Sequence, residues 1–455
     1  MKKTTKRIVI GVAAFVAVIC GLSSLVVTKE NEYTLIMRFG KINSIKTEAG
    51  LSFKVPFLDS EQTLPKEILL YDMAASDVIT KDKKTMIIYG AGDYAEDILN
   101  VYEGSECKDS WKLWLVDRDE KKQQEGKRGY RVMSPEELWK KEKENYFVVI
   151  CATPSGATEI KKGLLEHEIK EEDIYDYSYF LYTYLPIYFM YVKNKLFFTS
   201  ENIIPSTVCD LNCRSCLNFN PYIKKHIVDS LEEVKADIDA FFGQVDLIYR
   251  LQISGGEPFL YKELGHVLEY IYENYKDKVI RLETVTNGTI VPSDELCRIL
   301  KKCKVTVFLD DYRKTLPNGE ALYERVKNKL NQEEISVIYN YAEKWIRMYS
   351  ENSSHEEDSE EKLESFYERC GNPWSTLRKK KITGCNYAHY AAKAGILPDD
   401  EDNYFVLTGE VDKKALLEFR LRYNEKGYVE FCKKCAGWTS INPNLEDAAI
   451  QKAKE

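Results

Sequence analysis

The chain has 455 residues, 44% of them apolar, and a formal net charge of −8. That length suggests two to four domains with ample apolar content for packed cores, and the negative balance argues against nucleic acid as the main partner. Its twelve cysteines are few for the length and clustered, which excludes a secreted disulfide framework and points to ligands and ordinary core residues of a reduced compartment.

Met1 to Arg7 is basic, and Ile8 to Val27 is an uncharged apolar run of twenty residues. As a helix that run would be about 30 Å long, enough to span a bilayer, and the basic flank predicts an N-in orientation. A cleaved signal peptide is the rival, but the run is long and no A-x-A site follows it. The expectation for residues 1–27 is therefore a single-pass transmembrane helix and a membrane location. Residues 28–85 contain short alternating runs, Tyr33–Phe39 and Leu51–Phe57, separated by Gly40 and Gly50, and predict a small β-rich unit. Leu35–Lys41, Ala49–Phe57 and Ser76–Met86 resemble the start of membrane protease modulators of the band 7 (stomatin and prohibitin) group. The resemblance ends at residue 86, before the remainder of a band 7 domain and its long charged helix. It implies a truncated fragment fused to something unrelated.

Residues 86–180 open on Ile87 to Ala95 (IIYGAGDYA), a strand, a GxGxxA turn and a helix start, and Asp117 ends the next strand. This predicts a Rossmann-like βαβ domain, with Gly90 and Gly92 shaping the turn, a helix N-terminus for an anion and Asp117 for a ribose. A true nucleotide site and an idle turn are equal readings of a lone fingerprint. The segment resembles the Rossmann-like modules of polysaccharide-modifying enzymes that handle sugar nucleotides. Residues 181–200 are rich in Tyr and Phe, but the tyrosines, Pro186, Lys193 and Lys195 favour a buried connector over a second span.

Within residues 201–345, Cys209, Cys213 and Cys216 occupy one loop leaving an apolar run. Three thiolates so spaced can hold three irons of a cubane and leave the fourth open. A structural zinc is the alternative, although it would need a fourth ligand and none occurs before His226. Leu251–Leu260 then ends a strand in Gly255, Gly256, Glu257 and Pro258. Val279–Thr289, with Asn287, and Val305–Tyr312, with Asp310, repeat the pattern of polar groups at a strand's C-terminal end. Helix-like segments near 230–242, 262–276 and 293–303 lie between them, so the fold class is α/β with a parallel sheet whose ligands gather at the carboxyl ends.

CxxxCxxC followed by a GGEP-type strand end resembles the radical S-adenosylmethionine (radical SAM) enzymes over roughly residues 200–315. The resemblance implies a partial (β/α) barrel and a 4Fe-4S cluster on Cys209, Cys213 and Cys216. It also implies S-adenosylmethionine cradled by Gly255, Gly256, Glu257 and Pro258, with Asn287 and Asp310 near the nucleoside. Ser215 departs from the aromatic residue that such loops often carry against the adenine. The implied reaction is reductive cleavage to a 5'-deoxyadenosyl radical that abstracts hydrogen from a sugar, nucleotide-sugar or peptide substrate, with a flavodoxin or ferredoxin as reductant.

Residues 346–440 join an acidic stretch to Cys370, Cys385, Cys432 and Cys435, the last two as CxxC, and 441–455 read as a tail. Four thiols can close a metal site. Behind a radical SAM core they resemble SPASM or twitch extensions, which implies an auxiliary 4Fe-4S cluster, with zinc as the alternative. Cys107, Cys151, Cys297 and Cys303 read as core, and His389 as a packing residue. An N-in helix would place all that follows outside the cytoplasm, where reduced clusters and S-adenosylmethionine are scarce. The competing function is a membrane scaffold defined by the band 7 fragment, with the enzyme part as passenger.

Overall fold

A computed structural model describes residues 23–28, 32–38, 41–47, 49–56, 58–65, 83–141, 145–349, 353–423, 426–439 and 441–452. The chain divides into two compact units, Met1–Lys81 and Asp82–Glu455.

In the first unit, β1 (Leu25–Thr28) pairs antiparallel with β4 (Gly50–Phe53), and β2 (Glu32–Arg38) lies between β3 (Lys41–Lys46) and β5 (Asp59–Pro65). Arg38 forks onto Asp59, Nε to Oδ1 at 2.6 Å and Nη2 to Oδ2 at 3.1 Å, pinning β2 to β5. The expected membrane span and single-pass location are corrected here: no helix among the described residues is long and apolar enough to cross a membrane. The end of that apolar run belongs to β1, where Val26 is buried and the β-branched Val26 and Val27 suit a strand. Residues 8–22 lie outside the described residues, as does most of the Ser76–Met86 stretch.

The second unit begins with a parallel sheet. Its strands β6 (Thr85–Tyr89), β7 (Lys112–Val116), β8 (Val132–Met133), β9 (Tyr146–Ile150) and β10 (Ile174–Asp176) lie in the order β10-β9-β6-β7-β8. Every residue of β6 and β9 is buried, as expected of strands covered on both faces. Met86 lies inside β6, and Lys83 pairs with Asp173 at 2.9 Å, so the boundary falls a few residues before the sequence reading placed it. Helix α1 (Tyr94–Gly104) follows the glycine turn, and α2 (Pro154–Glu166) follows β9. The connector is helical: a π-turn over Phe180–Tyr184 runs into α3 (Leu185–Val192), and Tyr188 lies against Trp111 with ring centroids 4.4 Å apart.

Next comes a half-barrel of five parallel strands. These are β11 (Phe197–Ser206), β12 (Leu247–Gly255), β13 (Val279–Thr286), β14 (Thr306–Asp310) and β15 (Ser336–Asn340). Helices α4 (Leu231–Gln244), α5 (Leu264–Tyr275), α6 (Asp294–Lys302) and α7 (Gly319–Gln332) connect them in turn. Helix α4 starts on a capping box of Ser230 and Glu233. A further strand, β16 (Lys344–Ile346), pairs with β20 (Leu445–Asp447). Between them lie α8 (Glu360–Arg369), β17 (Thr376–Arg378), β18 (Lys381–Thr383), α9 (Asn386–Lys393), β19 (Tyr404–Val406) and α10 (Lys413–Arg420). β17 extends the half-barrel sheet parallel to β11, and β18 and β19 follow antiparallel.

Glu201 on β11 is fully buried, accepting from Ser375 Oγ at 2.5 Å and from the Asn202 N–H at 3.1 Å. Burial outweighs the nearby Arg420 and these hydrogen bonds and lifts its acid from the ordinary 4.5 to about 7. Between those values the folded chain holds a proton that the unfolded chain has lost. Stability from this group is complete below pH 4.5 and declines as pH rises to 7, by up to about 3 kcal/mol. In urea unfolding followed across that window, Glu201→Gln is expected to flatten the decline relative to the native chain. Parallel pH profiles for the two would contradict this account.

Candidate functional site

The C-terminal ends of the half-barrel strands open on a cavity of about 400 Å³ whose lining includes Cys209, Cys213, Cys216, Gly255, Gly256, Glu257, Pro258, Asn287 and Asp310. The structure thus brings together residues from four separate stretches of sequence. The glycines explain how. A Cβ on Gly255 would stand 2.3 Å from the carbonyl oxygen of Ser206, and one on Gly256 would stand 2.1 Å from that of Val208. The close backbone approach that the glycines allow is therefore to the start of the cysteine loop itself. Two hydrogen bonds fix it, from Gly256 N to Ser206 O at 2.9 Å and from Glu257 N to Val208 O at 2.8 Å.

Glu257 is 1% exposed and accepts from the backbone N–H groups of Asn287 at 2.8 Å and Phe259 at 3.0 Å. Burial raises its acid to about 7. Its carboxylate clamps the end of β12 to the end of β13. Asn287 Nδ2 donates to Asp210 Oδ1 at 3.0 Å and lies 3.8 Å from the Cys209 sulfur, while Thr289 Oγ1 donates to Asp210 Oδ2 at 2.6 Å. Asn218 Nδ2 donates to the Gly255 carbonyl at 3.0 Å. Asp310 accepts from Tyr312 Oη and Asn340 Nδ2, both at 2.6 Å, and burial lifts its acid to about 6.

The presumed tail is part of the site. Asn212 N donates to Gln451 Oε1 at 2.7 Å, Arg214 N to Ile450 O at 2.7 Å and Lys452 N to Asn212 O at 2.6 Å, while Gln451 Nε2 lies 3.2 Å from the Cys213 sulfur. Arg214 also pairs with Glu446. Sequence reasoning missed this strap because a short run without a periodic pattern looks like any terminus. Asp210 and Asn218, within and just after the cysteine motif, were legible in principle as polar neighbours of the thiols.

The thiols suit a cluster. Burial raises all three, Cys213 to about 12, so they become thiolates only when a metal displaces their protons. Among the described residues, no three His, Cys, Asp or Glu side chains converge tightly enough to hold a single ion. A cubane binds each thiolate through a different iron, and the three thiols around one cavity can supply such ligands. Cys370, Cys385, Cys432 and Cys435 line one small cavity with Tyr367, Tyr387 and Arg422. Cys107, Cys151, Cys297 and Cys303 lie buried elsewhere. His389 is buried and its Nδ1 lies 2.6 Å from Tyr404 Oη.

The Gly90 turn is closed on itself. Asp117 accepts from Ala91 N at 2.7 Å, Lys122 Nζ at 2.9 Å and Asp119 N at 2.9 Å. A Cβ on Gly90 would stand 2.2 Å from the carbonyl oxygen of Cys151, and the Gly92 carbonyl accepts from Lys127 Nζ at 3.1 Å. The acid expected to meet a ribose is already occupied by the turn and a lysine.

Residues 203–343 match the family model of the Radical SAM superfamily, and residues 26–91 match that of the SPFH domain / Band 7 family. The chain carries a radical SAM domain behind a band 7 segment, and such a domain implies S-adenosylmethionine and a 4Fe-4S cluster. The N-terminal segment is similar to Modulator of FtsH protease HflC of Escherichia coli (strain K12), 34% identical over 89 residues, 18% of this chain and 26% of that protein. It is also similar to Protein HflC of Buchnera aphidicola subsp. Schizaphis graminum, 36% identical over 88 residues, 18% of this chain and 28% of that protein. The chain thus spans about a quarter of the length of these curated relatives. Among solved structures, it is similar to native anSMEcpe with bound AdoMet, with a TM-score of 0.34, 13% identity and coverage of 56% of this chain and 92% of that chain. Streptococcus suis SuiB bound to S-adenosylmethionine gives a TM-score of 0.25, 22% identity and coverage of 40% and 43%.

Gly256→Ala is expected to destabilise the chain by about 3 kcal/mol, because the Val208 backbone must move to admit the methyl group. Gly243→Ala is the control: Gly243 is helical with open space around its Cβ, and alanine there should stabilise by about 1 kcal/mol. Urea unfolding of both variants checks this; equal, small effects would contradict it.

Proposed function

We propose that the chain is an iron–sulfur enzyme that reductively cleaves S-adenosylmethionine and abstracts hydrogen from a substrate held in the half-barrel. The observation that carries this reading is the meeting of Cys209, Cys213 and Cys216 with the ends of β12, β13 and β14 around one cavity. The three thiolates would hold three irons of a 4Fe-4S cluster and leave the fourth open to the cofactor's amino and carboxylate groups. Such a cluster, with S-adenosylmethionine on it, would supply the one-electron reduction that splits the sulfonium and makes hydrogen abstraction from substrate possible.

The chain's own residues position and seclude. Glu257 and Asn287 hold the cysteine loop against the strand ends. The Leu211 N–H lies 3.5 Å from the Cys209 sulfur and the Gln451 amide 3.2 Å from that of Cys213, and such donors favour the thiolate. Asp310, on the cavity wall, would lie near the nucleoside. Trp345, Trp374, Tyr387 and Trp438 complete the wall and keep water from the reacting carbon. Cys370, Cys385, Cys432 and Cys435 would hold one auxiliary 4Fe-4S cluster. A sugar, nucleotide-sugar or peptide fits the reading as substrate, and a flavodoxin or ferredoxin as reductant.

The test is anaerobic reconstitution of the full chain, followed by iron and sulfide analysis and by assay of 5'-deoxyadenosine after addition of S-adenosylmethionine and dithionite. About eight irons are expected for two clusters, with 5'-deoxyadenosine formation lost in Cys213→Ala. A chain starting at Asp82 is expected to behave like the full chain. Colourless, zinc-loaded protein without cleavage would overturn the proposal.

A further inference from the structure

The thiols and the polar groups at the strand ends occupy the rim of the cavity. Arg250 and Gln252 from β12, Glu283 from β13 and Trp374 line its inner end. Most polar groups of this inner layer satisfy one another. Ser254 Oγ donates to Asn202 Oδ1 at 2.7 Å, Gln252 Nε2 donates to Glu283 Oε2 at 3.3 Å, and Arg281 Nε donates to Glu283 Oε1.

Arg250 differs. Its Nη2 donates to Tyr182 Oη at 3.0 Å, but its Nε is buried with no hydrogen-bond partner. Glu283 and Asp97, whose charges it feels, are both paired with Arg281, and among the described residues Arg250 forms no salt bridge of its own. The guanidinium lies over the ring of Trp374, 4.9 Å from its centroid, and 5.8 Å from that of Tyr249. Part of the side chain remains open to the cavity that it lines. An arginine does not escape burial by losing its proton; the carboxylates of Glu283 and Asp97 favour its charged form from nearby without bonding to it, and its Nε donor is left unsatisfied. Its planar fork of donors matches the paired oxygens of a carboxylate or phosphate.

We infer that Arg250 is the recognition residue for an anionic group, a carboxylate or a phosphate, on the substrate. The substrate is then an acid, anchored at the inner end of the cavity with its reacting carbon toward the cysteine loop. This specificity rests on the proposed radical chemistry for calling the ligand a substrate, while the anion site itself stands on the geometry of Arg250.

Thermal unfolding of the full chain as purified tests the site. The probes are sodium glutarate and sodium phosphate at millimolar concentration, with glutaramide as the neutral analogue and sodium chloride matching the ionic strength. At least one anion is expected to raise the Tm by about 2 °C or more, and glutaramide to leave it unchanged. A response to glutarate assigns a carboxylate, and one to phosphate a phosphoryl group. In chloride, Arg250→Met is expected to melt within about 3 °C of the native temperature and to lose the response to anions. Arg250→Lys, which keeps the charge if the methionine variant does not fold, is expected to retain a response. An unresponsive native chain, or a response that survives in Arg250→Met, would overturn the inference. So would a large fall in Tm shared by both variants, which would make Arg250 a structural cation. The assay needs neither iron nor S-adenosylmethionine, so its failure is distinct from failure of the cleavage assay.

Discussion

The carbonyl oxygens of Ser206 and Val208 lie where side chains on Gly255 and Gly256 would have to go. Everything else at the site follows from that approach. It joins the end of β11 to the end of β12 through backbone hydrogen bonds, so the loop bearing Cys209, Cys213 and Cys216 leaves the sheet in one direction. Glu257 then ties the end of β12 to Asn287 at the end of β13, and Asn287 reaches back to Asp210 beside Cys209. Three strand ends and one loop become a single hydrogen-bonded rim. A buried carboxylate accepting backbone donors is strong only while both donors remain in place, so the rim tightens or loosens as a unit.

The far end of the chain closes the same rim. Residues 446–452 lie along the cysteine loop and exchange backbone hydrogen bonds with Asn212 and Arg214. The strap continues from β20, which pairs with β16, and is held again where Thr315 Oγ1 donates to Ala448 O at 2.7 Å. The C-terminal cysteines sit in a cavity that shares Tyr387 with the main one. The C-terminal region therefore serves the site at two points, through the strap and through a shared aromatic wall.

Much of this was legible in the sequence, for physical reasons. The three-cysteine spacing is a chemical constraint within one loop, and alternating strands and helices state the sheet's direction through their hydrophobic periodicity. The glycine pair pointed to a close approach, and the backbone it admits is that of the cysteine loop. Other features depend on contacts between remote residues. Gln451 carries no local pattern, and only the folded chain places its amide beside Cys213. Asp117 has the position of a ribose-binding acid, and only the folded chain shows that Lys122, five residues on in a short helix, donates to its carboxylate. Val26 and Val27 extend an apolar run that reads as a membrane helix, yet their β-branched side chains pair in β1. Arg250 is one arginine among many until the structure leaves its buried Nε without a hydrogen-bond partner.

The central claim is that the cysteine loop holds a cluster whose fourth iron is open to S-adenosylmethionine. Low-temperature electron paramagnetic resonance of the reconstituted, dithionite-reduced chain, recorded with and without S-adenosylmethionine, tests it most directly. To isolate the loop's signal, the four C-terminal cysteines Cys370, Cys385, Cys432 and Cys435 are replaced by alanine in a parallel sample. The account predicts a reduced 4Fe-4S signal whose g-values change when S-adenosylmethionine is added, and no such change when Cys209, Cys213 and Cys216 are replaced instead. A loop cluster whose spectrum is indifferent to S-adenosylmethionine would contradict it.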